Sequence, residues 1–112
     1  MDKQRHYTTL IQSIFSQLAE SYSEPDTNIS TELSFDQSHG NYILLEIGWT
    51  IEERIKRIIA YVRLRNDKFW VETDWTEEGL ASYLLDAGVP NQDIVLAFNP
   101  PHMRQYTEFA VA

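Results

Sequence analysis

The chain has no cysteine, only four glycines and four prolines in 112 residues, and nine basic side chains against seventeen acidic ones. Each shortage excludes something. Without cysteine there is no disulfide framework and no thiolate zinc site, which fits a cytoplasmic protein. A formal charge of −8 argues against a general nucleic-acid binder, because such binding depends on cations displacing counterions from phosphates. An acidic surface suits instead a partner that is itself basic, since opposite potentials speed and orient encounter. No apolar run approaches membrane-spanning length, and residues 1–22 are too polar for a signal peptide. The scattered glycines form neither a dinucleotide fingerprint nor a phosphate loop.

Catalytic constellations are missing as well. No serine sits in a Gly-x-Ser-x-Gly elbow. The acidic-x-Lys element of restriction-like nucleases occurs nowhere, and His6, His39 and His102 each lack a second histidine at ligand spacing. Glu72, Asp74, Glu77 and Glu78 cluster in sequence and could hold a divalent cation. Capping of a following helix explains them more simply. The expectation is a chain with no catalytic residue, no metal and no cofactor.

What is present is periodicity. A chain of this length makes one domain with a real core. Residues 2–22 place Tyr7, Leu10, Ile11, Ile14, Phe15, Leu18, Ala19 and Tyr22 on one helical stripe. The stop is expected at Ser23-Glu24-Pro25-Asp26, because proline disfavours helical geometry in the residue before it. Four runs then alternate with a period of two: 29–36, 42–49, 54–65 and 68–74. Ser38-His39-Gly40-Asn41 and Asn66-Asp67 supply turns between them, and Gly48 marks a bulge or a close approach. Ile43, Leu45, Ile47 and Trp49 are expected to face the helix, with Tyr42, Leu44 and Glu46 outward. In the third run Ile58, Ala60, Val62 and Leu64 make the buried row. A second helix begins after Asp74-Trp75-Thr76, carries Leu80, Tyr83, Leu84 and Ala87 inward, and stops at Gly88 before Pro90. Residues 94–98 read as a single helical turn, and Pro100-Pro101 opens an extended tail. The fold expected is α+β: a four-stranded antiparallel meander covered by an amino-terminal and a second helix, with an extended carboxy-terminal tail.

Two surfaces stand out. Six of the nine basic residues lie between Arg54 and Lys68. On the outward parity, Arg57, Arg63 and Arg65 would stand beside Tyr42, Tyr61 and Trp70. Arginines interleaved with aromatics suit single-stranded nucleic acid or a protein hot spot. They also suit a charge ladder with Glu32, Glu46 and Glu72. The second surface is the tail, where Arg104, Tyr106, Phe109 and Val111 can dock on the chain's own sheet edge or on another chain. An exposed strand edge and an apolar tail also leave room for a homodimer.

Several stretches are familiar. Thr76-Glu77-Glu78-Gly79, Ala87-Gly88-Val89-Pro90, residues 93–98 with Pro100-Pro101, and the run 104–112 resemble the XisI family, the cyanobacterial fdxN-element excision controlling factors. The amino-terminal helix, the strand over 45–49 and the overall length match too, so the resemblance spans essentially the whole chain. It implies a non-enzymatic accessory role in excision of a DNA element during heterocyst development, beside a recombinase and the nuclease-like companion XisH. It carries over no catalytic residues. The expectation is a regulator that binds a protein partner, XisH being the candidate. The alternative is a DNA-binding excision factor using the face of Arg57, Tyr61, Arg63 and Trp70.

Overall fold

The structure, a computed structural model, describes residues 2–23 and 28–112. Helix α1 (Lys3–Tyr22) follows the apolar stripe and buries Tyr7, Ile11, Ile14, Phe15 and Leu18. Its first turn is closed by Asp2, whose Oδ1 accepts from the Gln4 amide at 3.0 Å, a side-chain cap that satisfies one of the open helix donors. The expected stop at Pro25 falls on residues 24–27, outside the described residues.

Strands β1 (Ile29–Asp36), β2 (Asn41–Trp49), β3 (Arg54–Arg65) and β4 (Lys68–Asp74) form the meander read from the sequence. At the β1–β2 turn Gly40 takes φ 67°, and a Cβ there would meet the Leu64 carbonyl oxygen at 2.6 Å. Asn66 and Asp67 both take positive φ, 54° and 58°, the backbone required by a two-residue hairpin turn whose twist matches its strands. Gly48 is a close approach: a Cβ would lie 2.0 Å from the Asn28 carbonyl oxygen.

The sheet nevertheless has five strands, in the order β1-β2-β3-β4-β5. Helix α2 (Leu80–Asp86) is followed by a 3-10 turn, Asn91–Asp93, and by β5 (Ile94–Leu96), which pairs parallel to β4. The four-stranded antiparallel meander is thereby corrected to a mixed sheet, and the single helical turn expected over 94–98 is a strand. Three residues are too few to display either period. What makes them a strand is pairing with a partner far away in sequence. The tail expected to run extended from Pro100-Pro101 instead winds into a second 3-10 turn, Pro101–Tyr106, before the Ala110 amide donates to the Ile94 carbonyl at 2.9 Å.

One core lies between α1, α2 and the sheet. Tyr42, Leu44, Ala60, Val62, Phe69, Val71, Leu80, Leu84 and Ile94 are wholly excluded from solvent, and each large side chain so buried contributes about 1.5–3 kcal/mol of transfer free energy. Within this apolar cluster sits Asp93, the one buried charged residue among those described. Its Oδ2 accepts from the Tyr7 hydroxyl at 2.5 Å and lies 2.8 Å from Lys3 Nζ. Burial pushes the Asp93 carboxyl upward, but the hydrogen bonds from Lys3 and Tyr7 and the charges of Lys3 and Lys68 outweigh it and hold the group below its ordinary value. Burial and the hydrogen bond to Asp93 push the Tyr7 phenol well above its own. The triad ties the start of α1 to the loop that precedes β5.

Candidate functional site

The sheet has a covered face beneath the helices and an open face, and the apolar rows distribute between them differently from the sequence expectation. In β2, Tyr42 and Leu44 are fully buried on the covered side, while Ile43, Leu45 and Ile47 are half-buried on the other. The expected parity of β2 is therefore inverted. Both of its rows are apolar, and the more apolar one (Ile43, Leu45, Ile47) lies outside. Tyr42 leaves the proposed interaction face for the core, where it meets the Phe35 ring at a centroid distance of 5.4 Å.

In β3 a bulge changes the parity midway. Leu44 pairs with Ala60 and Leu45 with Ile58, leaving Ile59 as an extra residue. Such an insertion turns the residues on its two sides toward opposite faces. Ile58 is consequently exposed and Ile59 buried, against expectation. Arg57 moves to the covered side, where it pairs across the strands with Glu46: its Nε and Nη2 lie 2.8 and 2.7 Å from Glu46 Oε1. Tyr22, Glu46, Arg57, Ile59 and Trp75 surround an open cleft of about 460 Å³ near the last turn of α1. A second shift between β3 and β4 leaves Glu72 as the extra residue there.

Tyr61, Arg63, Arg65 and Trp70 do share the open face, but the chain itself engages them. Arg63 lies 3.7 Å from Glu72. Arg65 donates to the carbonyls of Gly40 and Leu64, and the Tyr61 hydroxyl to Asn41 Oδ1 at 3.3 Å. Trp70 Nε1 donates to the Arg65 carbonyl at 3.2 Å, and the Arg104 guanidinium stands 5.7 Å from a Trp70 ring centroid. This is chiefly a ladder of internal partners, and it leaves few free cations for phosphates. Lys56 is the exception. It is exposed on this face beside Ile58, Leu45 and Ile47, and no partner is found for it among the described residues.

The tail divides by residue. Arg104 is half-buried, donating to the carbonyls of Asn99 and Ala97. Phe109 packs against the core, and Ala110 bridges in parallel to Val95. Tyr106 is 76% exposed and Val111 55%, with Phe98 and Met103 also outward. The docked half belongs to the fold, leaving Met103 and Tyr106 exposed on the second 3-10 turn, Phe98 before it and Val111 after it.

Of the carboxylates at the β4–α2 junction, Asp74 holds the turn into α2, while Glu72 pairs with Arg63. Asp74 Oδ2 accepts from the Leu80 amide at 2.7 Å, its Oδ1 from the Thr76 amide and hydroxyl, and Thr76 Oγ1 from the Gly79 amide. Asp36, Ser38 and His39 meet in the first turn, but both partners share His39 Nδ1, at 2.8 and 3.3 Å. A relay needs the imidazole to hold an acid on one nitrogen and a nucleophile on the other. Hydrogen bonds from Ser38 and His39 hold the Asp36 carboxyl below its ordinary value. Among the described residues, no group of three or more His, Asp or Glu is placed to hold a metal ion, and no helix is long and apolar enough to cross a membrane.

The family model for the XisI protein matches residues 1–111. Among solved structures, the chain is similar to the fdxN element excision controlling factor XisI from Anabaena variabilis, with 38% identity and a TM-score of 0.84 over 99% of this chain and 100% of the other. It is also similar to a XisI-like protein from the same organism, with 28% identity and a TM-score of 0.91 over 97% of this chain and 99% of the other. Among curated proteins none matches.

Proposed function

The chain belongs to the XisI family, and on that premise we propose that it is a non-enzymatic accessory protein controlling programmed excision of a DNA element, acting in the cytoplasm by binding a protein partner. The observation that carries this reading is the end-to-end similarity to a protein described as an excision controlling factor. The partner proposed is the nuclease-like XisH. A DNA-handling protein presents basic surface, and a chain of net charge −8 meets it with complementary potential. The contact proposed is the exposed half of the tail, Met103, Tyr106 and Val111, since these apolar side chains stand in water on a segment that Arg104 ties to the carbonyls of Ala97 and Asn99. The DNA-binding alternative is less favoured, because Arg57 pairs with Glu46 on the covered side and internal contacts engage Arg63 and Arg65.

Co-purification with XisH tests the reading. The intact chain should form a stable complex, and Met103→Asp with Tyr106→Asp should abolish it while the circular dichroism stays unchanged. Truncation after Asn99 is a poorer probe, because it also strips Phe109 and Ala110 from the fold. Absence of any complex with the intact chain would overturn the reading. DNA affinity falling steeply with salt and lost on Arg63→Ala would put the alternative in its place.

A further inference from the structure

An antiparallel sheet with one solvated face normally alternates apolar-in with polar-out. Here β2 carries apolar side chains on both sides, and among the described residues no element lies above the row Ile43, Leu45, Ile47. The β4 side of that face is capped by Arg104 over Trp70, and no described element covers β1, β2 and β3, with β2 in the middle. The flanks of the apolar row differ in charge. On the β1 side the outward residue opposite Leu45 is Glu32. On the β3 side the outward residue opposite Ile47 is Lys56. Both are exposed, and no partner is found for either among the described residues.

An acidic flank, an apolar middle and a basic flank form a self-complementary pattern. Rotating a second copy by half a turn about an axis parallel to β2 and lying above it brings the two open faces together. Leu45 and Ile47 then meet their own counterparts, and each β1 lies over the other copy's β3. Glu32 of one copy comes over the basic flank of the other, next to Lys56, twice per dimer. An axis across the strands would instead set Glu32 against Glu32. We infer that the open face of β1–β3 is a homodimer interface, in which two sheets pack face to face about an axis along β2. An aligned packing of this kind keeps the strands within about 30° of each other, with inner side chains filling a layer about 10 Å thick. The flat footprint is about 30 Å by 14 Å from strand rise and spacing. That is small for a permanent interface, so association depends on concentration. The inference is independent of what the tail binds, and it places self-association on the face rather than on the strand edge or the tail.

Sedimentation velocity of the full chain across a concentration series at low salt tests it. The wild type should pass from the mass of one chain to that of two as concentration rises. Glu32→Lys and Lys56→Glu should each weaken dimerisation about tenfold, because each turns two symmetry-related attractions into repulsions. The double variant should restore it. Leu45→Asp should abolish it. If Leu45→Asp perturbs the fold, the charge reversals stand alone, being on exposed side chains that support nothing else. A wild-type chain that stays single at every concentration overturns the inference, as it would if the face served a different protein. A dimer indifferent to both charge reversals overturns it too, and would place the contact on the β1 edge or the tail.

Discussion

On the covered face of the sheet, Tyr42, Leu44, Val62, Phe69 and Val71 are wholly excluded from water beneath α1 and α2, whereas Ile43, Leu45 and Ile47 on the opposite face keep part of their surface wet. Both rows come from the same chemistry, and in β2 they alternate residue by residue. What separates them is the layer above. One face is finished within the chain, and the other carries apolar side chains with charged flanks and, among the described residues, nothing over its middle. Apolar area without a cover contributes little to folding, since burial is what releases water. It is the material from which association is built.

The largest effect expected from this contrast is on stability. Phe69 packs its ring 4.5 Å from that of Tyr7, at full burial. Phe69→Ala should cost about 3–5 kcal/mol, the range for emptying an aromatic site in a closed core. Ile43→Ala, measured at dilutions where the chain is single, should cost less than half as much, because part of that side chain is in water already. Urea denaturation checks both, as a shift in midpoint at constant slope. Equal costs at the two sites would remove the distinction between the faces.

The next effect concerns how the covered face is locked. Asp93 is held below its ordinary pKa by Lys3 and Tyr7 against the upward push of burial. A carboxylate with a lowered folded value adds stability above its unfolded pKa and loses it as pH falls through the folded one. The wild-type melting temperature should therefore hold at neutral pH and fall below about pH 4, the ordinary carboxylate range. Asp93→Asn keeps the shape but gives up the charge opposite Lys3, and it should cost about 1–3 kcal/mol at neutral pH. The same variant should flatten the acid limb of the melting curve. Retention of that limb in the variant would assign it to other carboxylates, such as the exposed Asp36.

The covered face was legible as a set of elements but not as a set of side chains. Helix α1 announces itself by an apolar period that no strand would tolerate, and Asn66-Asp67 and Gly40 announce turns through their backbone freedom. The row Ile43, Leu45, Ile47 misleads because hydrophobicity alone selects it for the core. Only the helix above decides that the less apolar row, with Tyr42 and Glu46, goes in. Arg57 misleads because the insertion at Ile59 leaves no trace in composition. β5 is three residues defined by a partner 25 residues earlier. The capping role of Asp74 was readable, since helix starts make the same local demands wherever they occur, whereas the sequence left open which tail residues dock at home.

The smallest effect is the sharpest on where Tyr42 lies. Its hydroxyl is buried, and no hydrogen-bond partner is found for it among the described residues. Such a group forfeits its hydration without replacement, a cost that deleting the oxygen relieves. Tyr42→Phe should therefore leave stability unchanged or raise it by up to about 1 kcal/mol, and it should not touch dimerisation or partner capture. A Tyr42 on the open face would behave in the opposite way. Its hydroxyl would already be solvated, the variant would be silent in urea, and any loss would appear in the binding assays. Measuring both readouts on this one variant separates the two faces through a single oxygen atom.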